Sequence, residues 1–251
     1  MEEWYAYPLL ILVGFIVGFI NTVAGGGSLL SLPILIFLGL PSTLANGTNR
    51  VAIIFQTAIA TAGFKSKGVS TFPFNIYLGS SAFFGSIIGA QLAVDISGAL
   101  FNRILAIVMF CVVAIIAFAP KIGIKEVEER LTGKYLWLGI IVFFFFGIYG
   151  GFINAGLGFI MILFLHYINR MTLVRSNATK VAVVFMYMVS ALIVFAVNDQ
   201  VNWKIGLILA IGNGSGAWLA SRISVNKGDG FVKKFLIVMV LILAIKLWFY
   251  Q

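Results

Sequence analysis

Apolar residues along this chain come in long runs separated by short polar stretches, and the runs show no strand-like alternation. Ten segments are legible, at roughly 8–24, 28–40, 42–64, 74–94 and 101–119, and again at 135–153, 156–168, 172–197, 203–221 and 231–250. A run such as IIVFFFFGIYGGF, from Ile140 to Phe152, predicts helix rather than a membrane barrel strand. Most segments approach the ~20 residues that cross a hydrocarbon core. Those at 28–40 and 156–168 are shorter, with about 13 residues spanning ~20 Å as helix. Each is expected either to cross at a tilt or to form a re-entrant hairpin with the segment before it.

The order of segments repeats. Gly14, Gly18, Phe19, Ile20, Asn21 and Gly25 align without a gap on Gly147, Gly151, Phe152, Ile153, Asn154 and Gly158. Downstream, NGTNRVAIIF from Asn46 matches NATKVAVVF from Asn177, and GSIIGAQLA from Gly85 matches GNGSGAWLA from Gly212. Three matches in one order indicate duplication. The reading is a first repeat at 1–120, a hydrophilic linker at 121–134 and a second repeat at 135–251. The glycine pairs in GSIIGA and GNGSGA are expected to pack helices closely.

Loop charge sets the expected orientation. Lys65 and Lys67 follow the third segment, and Lys121, Lys125, Arg130 and Lys134 follow the fifth. In the second half the basic loops shift by one segment, to Arg170 and Arg175 and then to Arg222, Lys227, Lys233 and Lys234. Cytoplasmic loops carry the excess of Lys and Arg, so the linker is expected to be cytoplasmic and the repeats inverted. Both termini are then external. The acidic flank at Glu2 and Glu3 is unlike the basic start of a signal peptide.

Composition agrees with lipid as solvent. Of 251 residues 61% are hydrophobic and 10% charged, against about 25% charged in soluble domains. The formal charge of +9 lies mostly in short loops rather than on a basic module, which argues against nucleic-acid binding. A lone cysteine, Cys111, excludes an intramolecular disulfide and is expected to be a small buried hydrophobe.

Two cations fall inside apolar segments. With Ser42 and Thr172 as helix N-caps, Arg50 and Lys180 each lie eight residues in, or ~12 Å of rise. In inverted halves they approach the bilayer centre from opposite faces, without an acidic partner in either helix. One reading has them snorkel or bond backbone carbonyls. The functional reading has them face an internal pathway suited to an anion. Asn46, Thr48 and Asn49 lie near Arg50, and Asn177 and Thr179 near Lys180. Asn21 and Asn154 end the first helix of each half; Gly25, Gly26, Gly27 and Ser28, and Gly156 and Gly158, open the next. Helix N-termini carry free amides that favour anions. Gln56 is a further lining candidate, opposite Met186 in the second half. His166, the only histidine, is expected to be an interfacial hydrogen-bonder. No nucleophile, metal cluster or phosphate loop is nominated, so neither an enzyme nor a cofactor is expected.

The stretch GFINTVAGGGSLLSLPILIFLG, the following ANGTNRVA and their echoes GFINAGLGFIMILFL and SNATKVAVV resemble the sulfite exporter TauE/SafE family. The resemblance spans nearly the whole chain. It implies an all-α polytopic transporter of small sulfur-containing anions or related organic acids in a bacterial or archaeal cytoplasmic membrane. The family's patterned positions fall on Gly25, Gly26, Gly27, Pro33, Thr48, Gly158 and Thr179. The second half lacks the triple glycine. A carrier alternating access is the leading expectation, with a passive anion channel, a carboxylate transporter and a membrane scaffold as alternatives. Expected partners are a small anion and the bilayer; a coupling proton or ion and a homo-oligomer are left open.

Overall fold

A computed structural model describes residues 6–117 and 128–249. Among the described residues the chain is entirely helical, in the order α1 (Ala6–Ala24), α2 (Ser28–Phe37), α3 (Ser42–Ser66), α4 (Phe74–Asp95), α5 (Gly98–Ala117), α6 (Gly133–Phe152), α7 (Leu157–Tyr167), α8 (Leu173–Val197) and α9 (Trp203–Phe249). α9 is broken at Gly228, whose backbone leaves the helical region (φ 66°, ψ −168°). The loop expected between 221 and 231 is therefore a one-residue break. Linker residues 121–127 and the acidic flank at Glu2 and Glu3 lie outside the described residues.

Among the described residues four stretches are long and apolar enough to cross a membrane: Tyr7–Ala24, Phe74–Asp95, Gly133–Phe152 and Leu173–Val197. The outer surface is apolar, with Leu12, Phe84, Ile107, Phe145 and Ile211 all exposed. The interior holds Asn, Thr, Ser, Gln, Arg and Lys side chains, and no Asp or Glu is buried among the described residues. That distribution fits a bundle bathed in lipid, with polar groups satisfied inside. Cys111, expected inside, is exposed, because this position of α5 turns outward.

Glycines set the helix register. Gly14 and Gly18 of α1 lie against Leu209 and Asn213 of α9, and Gly212 and Gly216 of α9 lie against Ile11 and Phe15 of α1. A Cβ on Gly18 would come within 2.7 Å of the Asn213 Cα. In the other half Gly147 and Gly151 of α6 lie against Ala82 and Ser86 of α4, while Gly85 and Gly89 meet Phe144 and Ile148. Both pairs run parallel, because contacts advance together along the two helices. The first helix of each half thus packs on the fourth helix of the other. Small residues permit this approach where lipid provides no hydrophobic drive.

α3 and α8 cross the middle in opposite directions. Gly47, near the start of α3, meets Phe195 and Gln200 at the end of α8, and Thr48 Oγ1 accepts from Asn202 N at 2.9 Å. At the other end Thr179 Oγ1 donates to Thr71 Oγ1 at 3.0 Å.

One of the two expected N-caps is displaced. Pro41, not Ser42, is the N-cap of α3; the Ser42 hydroxyl donates to Asn102 Oδ1 at 2.6 Å instead. Thr172 does cap α8, accepting from Arg175 N. The Asp229 carboxylate, just past the α9 break, also accepts from Leu173 N and Val174 N, each at 2.9 Å. A carboxylate suits the positive end of a helix. His166 Nδ1 donates to the Met171 carbonyl at 2.8 Å.

Candidate functional site

The two glycine breaks touch. Gly25 has φ +82°, and a Cβ there would lie 2.7 Å from the Gly158 Cα; one on Gly158 would lie 2.7 Å from the Gly25 Cα. Only two bare backbones fit at this spacing. The breaks are not equivalent. α1 continues to Ala24, whereas α6 ends at Phe152, the match of Phe19. Asn21 is therefore inside a helix, while Asn154 sits in the second break with φ 58°. Gly156 N-caps α7 in a left-handed conformation, and Gly158 lies in its first turn.

Each cation caps the first helix of the opposite half. Arg50, 1% exposed, donates through Nη1 to the Gly150 carbonyl at 3.1 Å and through Nη2 to the Gly151 carbonyl at 2.5 Å. Nη2 also reaches Phe152 O at 3.4 Å and Asn46 Oδ1 at 3.3 Å, and the guanidinium lies 4.4 Å from the Phe195 ring centroid. Asn46 Nδ2 donates to Phe152 O at 2.8 Å. Lys180, 2% exposed, donates to Asn21 O and Thr22 O, both at 2.9 Å, and to Asn177 Oδ1 at 2.8 Å. Asn177 Nδ2 donates to Val23 O at 2.9 Å. Helix C-termini carry free carbonyls and negative partial charge, so a cation is favoured there.

Between the breaks lies a small cavity lined by Asn21, Gly25, Gln56, Thr57, Asn154, Gly158, Lys180, Val181 and Val184. Its free volume is about 10 Å³. That is room for about one water. Asn21 Nδ2 and Asn213 Nδ2 both donate to Gln56 Oε1, at 3.2 and 3.3 Å. These bonds use only the oxygen of Gln56, leaving its amide hydrogens for another acceptor. On the other side Tyr187 donates to Asn154 Oδ1 at 2.6 Å, and Asn154 Nδ2 to Ser28 Oγ at 3.0 Å.

Of the residues expected from sequence, Asn21, Gly25, Gln56, Asn154, Gly158 and Lys180 line the cavity. Ser28 reaches it through Asn154. Arg50, Asn46 and Asn177 bond the ends of α6 and α1 outside the cavity lining, Asn49 is buried on α3 with no bonded partner for its Oδ1, and Thr48 and Thr179 bond outer turns. Tyr187, Thr57 and Asn213 were not singled out by sequence. Tyr187 hides in an apolar run, and Asn213 in the small-residue stretch GNGSGA, where its amide is the only signal.

The triple glycine can now be divided. Gly25 is required by its φ and by Gly158, and Gly27 by the Val17 carbonyl, 2.6 Å from where a Cβ would sit. Gly26 is required by neither. It is buried, and a Cβ there would meet only Leu29 Cδ1, at 3.9 Å. Gly26→Ala is therefore expected to melt within a few degrees of the wild type. A fall comparable to that of Gly27→Ala would contradict this division.

A family model described as "Sulfite exporter TauE/SafE" matches residues 10–247. A "probable membrane transporter protein" of Haemophilus influenzae is 28% identical over 243 residues, covering 97% of this chain and 94% of its own. A "probable membrane transporter protein ORF9" of Sinorhizobium is 26% identical, over 97% and 93% of the two chains. The "probable membrane transporter protein YfcA" of Escherichia coli K12 is 26% identical, over 95% and 88%. No solved structure matches the chain.

Proposed function

The chain belongs to the sulfite exporter TauE/SafE family of multi-pass membrane transporters, and from that premise we propose a secondary carrier of small, sulfur-containing anions working at the cavity between the two breaks. The carrying observation is Lys180, a buried cation in the wall of a cavity whose other polar groups are neutral. An anion seated there meets the Gln56 amide and the first-turn amide of α7 within the field of the Lys180 charge, whose own N–H groups are taken by α1 and Asn177. The cavity is too small for a multi-atom oxyanion as it stands, so loading requires the breaks to move apart. A closed pocket of this kind favours a carrier over an open pore.

Inversion of the halves, 1–120 and 135–251 about the linker at 121–134, is supported by the antiparallel crossing of α3 and its match α8. It is supported equally by the exchange of α1 and α6 onto α9 and α4. Half-helix N-termini facing each other between inverted repeats suit alternating access around a midplane site. The basic loops favour both termini outside, in a bacterial or archaeal cytoplasmic membrane.

The test is a thermal-shift screen of purified protein against sulfite, sulfate, thiosulfate, sulfonates and small carboxylates. A ligand at 100 times its Kd contributes about 2.7 kcal/mol, or several degrees. The shift is expected with at least one sulfur oxyanion and is expected to disappear in Lys180→Met. If no anion stabilises the wild type at high millimolar concentration, the proposal fails.

A further inference from the structure

The two caps are alike in place but not in chemistry. Arg50 carries a charge that no physiological pH removes, whereas a lysine can give up its proton when it is held away from water. Only the lysine borders the cavity; Arg50 stands behind the wall. The described interior holds no buried carboxylate to carry a coupling proton instead. Resting on the carrier reading above, we propose that Lys180 is the coupling site, binding one proton on each cycle and carrying it with the anion.

The geometry supplies the mechanism. The ammonium has three N–H groups, and each has an acceptor: Asn21 O, Thr22 O and Asn177 Oδ1. All three acceptors are neutral. Loss of the proton to water, on the side to which the cavity has opened, converts R–NH₃⁺ to R–NH₂ and breaks one N–H bond. The amine has two donors and a lone pair for three acceptors. One carbonyl is left unmatched, and the end of α1 loses the charge that holds it. The anion loses its counter-charge in the same step, so proton and anion leave together. Reprotonation from the opposite side, with a new anion, restores the cap.

Other ionisable groups do not compete for this role. α1 and α7 meet Lys180 with backbone, at Asn21, Thr22 and Gly158; their ionisable residues Tyr7, His166 and Tyr167 lie at the far ends. From α3 the interior group is Arg50, engaged at the end of α6. From α6 it is Tyr149, which donates to Ala155 O at 2.6 Å. Tyr187 of α8 itself is bonded to Asn154. α4 and α9 bring no buried ionisable side chain among the described residues.

The experiment uses the full chain in proteoliposomes with radiolabelled methanesulfonate, a strong-acid anion that cannot itself carry a proton. Counterflow at equal pH on both sides tests the carrier reading alone. An imposed gradient, acid outside, tests coupling: one proton per anion sets an accumulation ratio of about tenfold per pH unit. Wild type is expected to show both. In Lys180→Arg, whose charge is permanent, whatever counterflow survives is expected to be indifferent to the pH gradient, with no gradient-driven accumulation. Absence of counterflow in the wild type removes the carrier reading, and the coupling site with it. Counterflow with no response of the wild type to the gradient overturns the coupling site and leaves the carrier. Gradient-driven accumulation by Lys180→Arg also overturns it. If that variant does not fold, the wild-type gradient response decides.

Discussion

Gly25→Ala is expected to remove most of the folded protein from the membrane. The residue sits at φ +82°, and a methyl group there meets the Gly158 backbone, with the Gly158 Cα at 2.7 Å. A left-handed conformation costs about 1–2 kcal/mol for a residue with a Cβ. Forcing an extra methyl into close packing adds about 1–3 kcal/mol, and here the obstacle is backbone, which cannot rotate aside. Gly158→Ala meets Gly25 Cα at 2.7 Å, Gly25 O at 2.9 Å and the Lys180 Cδ at 3.2 Å. It lacks the conformational strain, so a smaller loss is expected. Size-exclusion yield and melting temperature of detergent-purified variants check both. A total of about 2–5 kcal/mol for Gly25→Ala corresponds to a drop of about 10 °C in a domain of this size. A Gly25→Ala protein that melts like the wild type would mean that the breaks do not touch as described.

Arg50→Ala is expected to be the most damaging change to a side chain. It strands the carbonyls of Gly150 and Gly151, takes a bond from Phe152 O and Asn46, and uncovers the Phe195 ring. Each buried acceptor left unmatched costs about 1–3 kcal/mol. Relief of the desolvated charge offsets part of this, so a net loss of about 3 kcal/mol is expected. Arg50→Lys should recover only part of it, because an ammonium is a compact charge that cannot fork between adjacent carbonyls. The melting temperature reads the effect directly. If Arg50→Ala keeps its melting temperature and loses only anion-induced stabilisation, Arg50 is a ligand residue and not a cap.

These two results bear on how the interior is divided. Arg50 and Asn46 hold α6, Lys180 and Asn177 hold α1, and the caps come from the opposite half in each case. Moving one break therefore disturbs a cap supplied by the other half.

Much of the fold was legible from local pattern. The segment ends fall close to the observed helices because apolar runs and Gly, Pro and polar interruptions act locally. Gly39 (φ +92°) ends α2 after Phe37, three residues before the expected limit. Pro41 takes the capping place expected of Ser42, since the hydroxyl had Asn102 within reach. The candidate site was legible in its polar residues but not in their division. Pattern placed Arg50 and Lys180 in equivalent positions, yet one stands behind the cavity wall and the other within it. The two helices end at different points of the repeat, α1 at Ala24 and α6 at Phe152, the match of Phe19, and this shifts the breaks relative to the matched residues.

What the chain determined by itself was its list of helical segments, the duplication that orders them, and the presence of two cations where lipid-facing residues were otherwise expected. Those follow from composition and spacing along a few turns. Only the tertiary structure decided that the cations end at helix carbonyls of the opposite half, and that Gly25 meets Gly158 while Gly26 meets almost nothing. It also decided that α1 packs on α9 rather than on its own half's α4. The Arg50 and Lys180 contacts join residues 100 to 159 positions apart, and such pairings are set by helix register and side-chain reach, which no local period encodes. The triple glycine between α1 and α2 is two close contacts around one unfilled position.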